Sequence, residues 1–296
     1  MQLGPTRIVD TFAEAFRMRF ARLVITACDP YWLDAAVREA TGYASSVIGC
    51  DAEAGVERLL AAEESPDGRP AAAVLLFGFQ AEGLAKALVR RVGQSVMTCP
   101  TTAVFNGLPA AEEQVPLGRQ LRFFGDGFQK SKVVGARRFW RIPVMDGEFL
   151  VEDQAGVEKG VAGGNLIFQG ATRQAALDAA RRAIQAVADM PGVIAPFPGG
   201  AVRSGSKVGS RYRGLVASTN QAFCPTLRGR VESELAPEAQ AACEIVLNGV
   251  DEQTVARAMQ RAMEAAAGEG VPAIAAGNYG GKLGKFHLHL RRLTAS

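Results

Sequence analysis

At 296 residues, 48% hydrophobic and 21% charged, the chain is long enough for one large or two ordinary domains with real cores, and its composition is that of a globular rather than a disordered protein. Its formal charge of +3 comes without a Lys/Arg run interleaved with aromatics, which excludes a general nucleic-acid footprint; the longest apolar stretch, 71–79, is too short to span a bilayer, so no membrane partner is expected. Residues 1–20 hold Arg7, Asp10, Glu14, Arg17 and Arg19 rather than a signal-peptide core, and five scattered cysteines without a Cys-x-x-Cys pair suit reduced thiols in the cytoplasm better than disulfides or a zinc site.

Residues 21–28 are a short apolar run that reads as a strand, and Asp29-Pro30 then supplies an N-cap with proline at the first helical position. The helix it opens carries Leu33, Ala36, Val37 and Ala40 at i, i+3, i+4 and i+7, and Gly42 stops it. Residues 45–49 return as a strand and complete a β-α-β unit. Beyond a polar link holding Pro66-Asp67-Gly68-Arg69-Pro70 the order recurs, with strand 72–79, helix 80–92 turning Leu84, Leu88 and Val92 inward, and strand 95–99. Residues 121–124 and Phe128 flank a turn at Asp126-Gly127. Residues 138–144 pair with 148–152 across Asp146-Gly147, because Asp-Gly between apolar alternations is a strong hairpin signal.

The second half repeats the scheme. Strand 162–168 precedes helix 173–188, with Leu177, Ala180, Ile184 and Val187 on one face, and strand 192–195 follows. After strand 243–247, Asp251 caps a helix with Val255, Met259 and Met263 inward, and strands 272–275 and 285–290 close the chain. Four β-α-β units in two pairs predict an α+β fold of two lobes, 1–146 and 147–296, each with a ferredoxin-like split β-α-β core. That fold hosts many chemistries, so function must come from particular residues.

The segment 196–214 is too rich in glycine for a helix and too rich in Ser, Arg and Lys for a core. Glycines at 199, 200, 205 and 209 let the backbone approach a ligand, and Ser204, Ser206 and Ser210 add hydroxyls. Arg203, Lys207, Arg211 and Arg213 are unaccompanied by acid from 201 to 214, so the segment is either a surface connector or a site for an anionic or amide-rich ligand. It is not a nucleotide phosphate loop, since Ser206 separates Gly205 from Lys207 and no helix-opening Ser or Thr follows. Glu244 stands in Cys-Glu-Ile-Val-Leu-Asn-Gly and shares a strand face with Val246 and Asn248. It reads either as a solvated acid at a strand start or as a carboxyl raised in pKa by burial and able to donate a proton. His287 and His289, the only histidines, point to one sheet face with no cysteine or acid cluster beside them, so no metal site is assigned. A second glycine-rich loop, 276–284, echoes Ala162-Gly-Gly-Asn165; these are tight turns, or loops that converge on one cleft.

Together, Asp10-Thr-Phe-Ala-Glu-Ala-Phe16, Ser95-Val-Met-Thr-Cys-Pro-Thr101, Phe123-Phe-Gly-Asp-Gly127, Gly160-Val-Ala-Gly-Gly-Asn165, Ser206-Lys-Val-Gly-Ser210, Ala217-Ser-Thr-Asn220, Glu244-Ile-Val-Leu-Asn-Gly249 and Ala276-Gly-Asn-Tyr-Gly-Gly-Lys-Leu-Gly284 resemble the formylmethanofuran:tetrahydromethanopterin formyltransferases along nearly the whole chain. The resemblance implies formyl transfer between the amine of a methanofuran-type carrier and N5 of a tetrahydromethanopterin-type carrier, through a tetrahedral intermediate and with no bound cofactor or metal. It implies a proximal lobe over 1–146, a distal lobe over 147–296 and a homotetramer. The balanced charge resembles the bacterial type, a subunit of a formyltransferase/hydrolase complex in one-carbon metabolism (formaldehyde to formate), whose furan carrier bears a polyglutamate tail. By the same resemblance Glu244 is the catalytic residue, and Ser206, Lys207, Ser210, Arg211, Asn220, Asn278 and Lys282 are expected to bind the carriers. The alternative is a non-catalytic subunit that binds a carrier for a partner; the match at Glu244 favours catalysis.

Overall fold

The structure, a computed structural model, describes residues 1–294. The chain folds into two compact units, Met18–Lys159 and Met1–Arg17 together with the chain from Gly160 onward. The chain crosses from one unit to the other inside two long strands, Phe12–Thr26 and Gln154–Gly170, so residues 1–17 go with the second half and 147–159 with the first. The architecture is mixed α/β.

In the Met18–Lys159 unit, the end of the Phe12–Thr26 strand lies between two antiparallel neighbours, pairing Thr26 with Ala71 of Ala71–Gly78 and with Ala103 of Ala103–Asn106. Glu53–Leu60 extends the sheet beyond Ala71–Gly78. On the other side Gly147–Glu152 joins Ala103–Asn106 in parallel, followed by Arg137–Val144 and Lys130–Val134. Helices Pro30–Thr41 and Ala81–Arg91 cover one face. Leu33, Ala36, Leu84 and Leu88 pack there on the alternate residues Ala21, Leu23, Ile25, Val74 and Leu76. Asp29 accepts a hydrogen bond from Trp32 N (3.1 Å) and Gly42 follows the last turn, so the first helix begins and ends where its cap and glycine place it. The Asp146-Gly147 hairpin forms, with Val144 opposite Gly147.

Two expected strands of this unit are turns. At 45–49, Ser46 O accepts from Gly49 N and Cys50 N, and the Glu53 carboxylate accepts from Val47 N; the strand starts only at Glu53. At 95–99 the second helix continues into a π-helical turn, Val92–Val96, in which Met97 N reaches Val92 O, and the next strand is Ala103–Asn106. Residues 118–125 are helical turns. Asp126 (φ 49°) and Gly127 (φ 90°) then make the expected turn into Lys130–Val134, a strand the sequence pattern did not reveal.

In the other unit, Gln154–Gly170 pairs antiparallel with Ala241–Gly249 along one edge and with Ala273–Ala275 along the other, and Thr6–Ile8 joins Ala273–Ala275 in parallel. Val193–Ile194 and Ala201–Val202 lie on the far side of Ala241–Gly249, while Phe286–His289 pairs with Phe12–Ala15. Helices Arg173–Val187 and Glu252–Ala266, capped by Thr172 and Asp251, pack on this sheet and on each other. Their contact is lined by Ala179, Ala180 and Ala183 against Ala258, Met259 and Ala262; Leu177, expected inward, is 42% exposed. Small residues bring the helix axes close, and Arg182 crosses to Ala265 O (2.9 Å) and Ala266 O (2.7 Å), satisfying carbonyls at the end of the second helix. A bulge at Gly163 (φ 98°) shifts the register of the long strand, and Asn248 Oδ1 accepts the freed Gly163 N–H (3.1 Å).

Backbone packing is closest at Gly156, where a Cβ would lie 2.1 Å from Leu108 O. Gly156→Ala is therefore expected to destabilise the protein by about 2–3 kcal/mol, as overpacking does. Urea unfolding measures it, and a midpoint unchanged from wild type would show that the Leu108 backbone can yield.

Candidate active site

Ala241–Gly249 is flanked on both sides, and the register sets Ile167 and Val202 directly opposite Glu244. Alternation turns Ile245 and Leu247 into the helix-covered core and Glu244 to the other face, where Ile167, Phe223, Leu235 and Ala236 form a smaller apolar cluster. The carboxyl is 2% exposed and neither oxygen has a hydrogen-bond partner among the described residues. It faces a narrow cleft lined also by Arg203, Gly205, Asn220, Cys224 and Cys243, with a volume of about 30 Å³, room for a water or two. Desolvation pushes the Glu244 pKa up to about 7. The Ser206 hydroxyl and N–H pull in the other direction, near enough to be felt but outside hydrogen-bond geometry.

The 196–214 segment brings Ser206 to this carboxyl. Gly205 adopts φ 70°, and a Cβ there would lie 2.6 Å from the Asn220 Cβ, so only glycine lets the two strands of the loop meet over the cleft. Asn220 N donates to Ser204 O (2.9 Å) and its side chain lines the cleft. Lys207 donates to Gln221 Oε1, and Ser210 Oγ accepts from Tyr212 N (3.0 Å), so both brace the loop. Arg211 and Lys282 are exposed and reach no protein partner among the described residues.

The 276–284 loop approaches from the other side. Asn165 exchanges two hydrogen bonds with Gly277, and a Cβ on Gly277 would stand 3.7 Å from Ser206 O. Asn278, expected to bind substrate, anchors its own loop to Thr11 Oγ1 (3.1 Å) and Phe12 O (3.4 Å) and accepts from Gly280 N. Beneath the loop is Glu14, fully covered, whose two oxygens accept from the N–H groups of Tyr279, Gly281, Leu283 and Gly284. Burial acts to raise its pKa and is the largest single influence, but the four donors together outweigh it and hold the carboxylate below its usual range.

Glu14 and Tyr279 were not selected from the sequence as site residues. The signal for Glu14 was present: an acid between the small apolar residues Ala13 and Ala15 and the aromatics Phe12 and Phe16, in a run that forms one strand. His287 and His289 flank the Phe12 ring at 5.0 and 5.1 Å. They border an open groove of about 480 Å³, together with Asp251, Glu252 and Arg292. Among the described residues that groove holds no buried unpaired group, so the smaller cleft at Glu244 is the chemically informative one.

Glu244 also makes stability depend on pH. Between the ordinary carboxyl value of 4.5 and about 7, the unfolded chain has released a proton the folded chain still holds, so rising pH destabilises the fold across that window. At 1.36 kcal/mol per pKa unit this amounts to about 3 kcal/mol. Glu244→Gln should flatten the decline between pH 5 and pH 8 in urea unfolding; parallel curves for variant and wild type would mean that the carboxyl is not desolvated.

Two family models cover the chain. The model described as formylmethanofuran-tetrahydromethanopterin formyltransferase matches residues 1–144, and that described as FTR, proximal lobe, matches 147–293. The label "proximal" thus falls on the second half, not on 1–146 as the resemblance had implied. The formylmethanofuran–tetrahydromethanopterin formyltransferase of Methylococcus capsulatus is 51% identical over 299 residues, covering 100% of both chains. One component of the formyltransferase/hydrolase complex of Methylorubrum extorquens is 48% identical, covering 98% of this chain and 96% of that one. Among solved structures, the Methylorubrum extorquens complex with methylofuran superposes with a TM-score of 0.95 at 47% identity, over 99% and 98% of the two chains. The Methanosarcina barkeri formyltransferase superposes with a TM-score of 0.93 at 46% identity, over 99% and 100%. With matches of this length and identity to a site already defined by its own geometry, the chain belongs to the formylmethanofuran–tetrahydromethanopterin formyltransferase family.

Proposed function

We propose that the chain is an acyltransferase that moves a formyl group between the amine nitrogen of a methanofuran-type carrier and N5 of a tetrahydromethanopterin-type carrier. The observation that carries this reading is Glu244, a buried carboxyl with no protein partner, poised near pH 7 at the floor of a cleft. Exchange of an acyl group between two amines passes through a tetrahedral carbon and needs one group that both accepts and returns a proton at neutral pH. Protonated Glu244 gives its proton to the departing nitrogen, and the carboxylate then takes the proton shed by the attacking one. Donors on Ser206 and the backbone of the glycine loops face the same space. No covalent bond to the protein is needed.

The assignment of Ser206 and Asn220 to carrier binding is supported by their place at the cleft. Lys207, Ser210 and Asn278 shape the loops that wall it. Exposed Arg211 and Lys282 are free to meet an anionic part of a carrier outside it, consistent with a furan carrier bearing carboxylates. The strand order 53–60, 71–78, 18–26, 103–106 supports the reading of that unit as a ferredoxin-like core. We further infer a cytoplasmic enzyme, a homotetramer joined to other subunits of a formyltransferase/hydrolase complex, and no resident cofactor. Five free thiols support the compartment, and no helix among the described residues is long and apolar enough to cross a membrane.

Glu244→Gln should cut turnover by at least about a hundredfold while pterin binding stays within a few-fold, the size of a lost acid/base contribution. Steady-state kinetics with formylated furan and reduced pterin carriers measures it, and near-normal turnover would retire the role. Treatment with EDTA should leave transfer intact; activity lost together with a stoichiometric transition metal would contradict metal-free chemistry.

A further inference from the structure

Beside the cleft at Glu244, the 276–284 loop carries a phenol whose placement the structure explains: Gly277 of this loop stands against Ser206, and Tyr279 follows two residues on. We propose that Tyr279 donates a hydrogen bond to the oxygen of the transferring formyl group, and that Glu14 is the positioning residue that sets it there. The proposal rests on the formyl-transfer reading of the site and adds to it the group that meets the developing charge.

The 276–284 loop is pinned at three places. Gly277 is held by Asn165, Asn278 ties to Thr11 and Phe12, and the stretch from Tyr279 to Gly284 is drawn onto the Glu14 carboxylate. Glu14 Oε2 accepts from Tyr279 N (2.7 Å) and Gly281 N (2.9 Å), and Oε1 from Leu283 N and Gly284 N (2.5 Å each). Two oxygens receiving two donors each is an arrangement only an ionised carboxylate satisfies, because a carboxamide would turn its own N–H groups toward two of the donors. Gly284 fits because a Cβ there would lie 2.6 Å from Ala15 O and 2.7 Å from Glu14 Cγ.

Between these pins the Tyr279 ring rests on Phe16, with ring centroids 6.0 Å apart. Its hydroxyl makes no hydrogen bond to protein among the described residues, so it is free for a ligand. Burial above all, then the charges of Glu244 and Glu14, push its pKa up to about 12, so it stays a neutral donor throughout the working range. Two neighbouring groups with opposed tasks result. Glu244 exchanges its proton near neutrality, whereas Tyr279 keeps its own.

In the transfer, the N5 lone pair forms a bond to the formyl carbon and the C=O π pair moves onto oxygen, where the Tyr279 O–H donates without losing its proton. Collapse restores the C=O bond and breaks the old C–N bond. The departing furan nitrogen takes a proton from Glu244, and the proton on N5 returns to the Glu244 carboxylate, so charge and atoms balance.

The test uses the full chain as Tyr279→Phe, Glu14→Gln and the double variant. Tyr279→Phe should lower kcat at least about tenfold, leave both KM values within about twofold, and leave the alkaline limb of the pH profile where Glu244 places it. Glu14→Gln should lower kcat similarly, and the double variant should be no slower than Tyr279→Phe alone, because Glu14 acts through the phenol. Independently of turnover, the difference between tyrosinate titrations with and without Tyr279 isolates this phenol, and Glu14→Gln should move its titration to lower pH. Tyr279→Phe with kcat within twofold of wild type, or single losses that multiply in the double variant, would overturn the proposal. Should Glu14→Gln fail to fold, Tyr279→Phe decides alone. A wild-type chain inactive with both carriers would instead overturn the formyl-transfer reading, and the titration would still report whether Glu14 governs Tyr279.

Discussion

The unit that holds the cleft depends on one buried charge. Glu14 is fully covered, and such a carboxylate is costly to place unless its lone pairs are filled. Four backbone N–H groups fill them, and all four belong to one loop. The loop therefore has a single low-energy conformation. Everything it carries inherits that precision: Gly277 against Ser206, the Tyr279 ring against Phe16, and through both the wall of the cleft at Glu244.

Glu14 and Glu244 show how position decides the chemistry of identical side chains. Each is hidden from water, and in each burial is the largest influence. Glu14 is surrounded by donors and remains charged. Glu244 has none within bonding geometry, and so holds its proton until about pH 7. A structural role calls for the first environment and proton exchange calls for the second. An unsatisfied buried carboxyl is expensive to keep, and its survival at the cleft floor is the strongest physical sign that it is used.

What could be read from the sequence was what is local. The N-caps at Asp29 and Asp251, the Asp146-Gly147 hairpin and the helical spacings depend on residues within a few positions of one another, and apart from Leu177 they stand as read. The false strands at 45–49 and 95–99 failed because short apolar runs carry no period of their own; a side chain from Glu53 and a helix that runs on into a π-helical turn decided them. Glu244 was visible as an acid among apolar neighbours, but its isolation depends on the cover from residues 223–239. Glu14 could not be read as a loop anchor, since its partners are 265 to 270 residues away. The tie that Asn278 makes from its loop to the start of the chain was equally beyond local reading, its partner Thr11 lying 267 residues away.

The joining of residues 1–17 to the chain from Gly160 onward has a consequence for synthesis. On the ribosome the Met18–Lys159 unit has all its residues before most of the other unit is made. The parallel strand partner of Thr6–Ile8, at Ala273–Ile274, and the donors for Glu14, 265 to 270 residues further on, are made much later. At translation rates of about 5–20 residues per second, the first segment emerges and waits roughly 15–50 seconds for them. Through that interval Glu14 lacks the four N–H partners it has in the fold, so the wall that residues 276–284 give the cleft is added long after the strand that anchors it has been made.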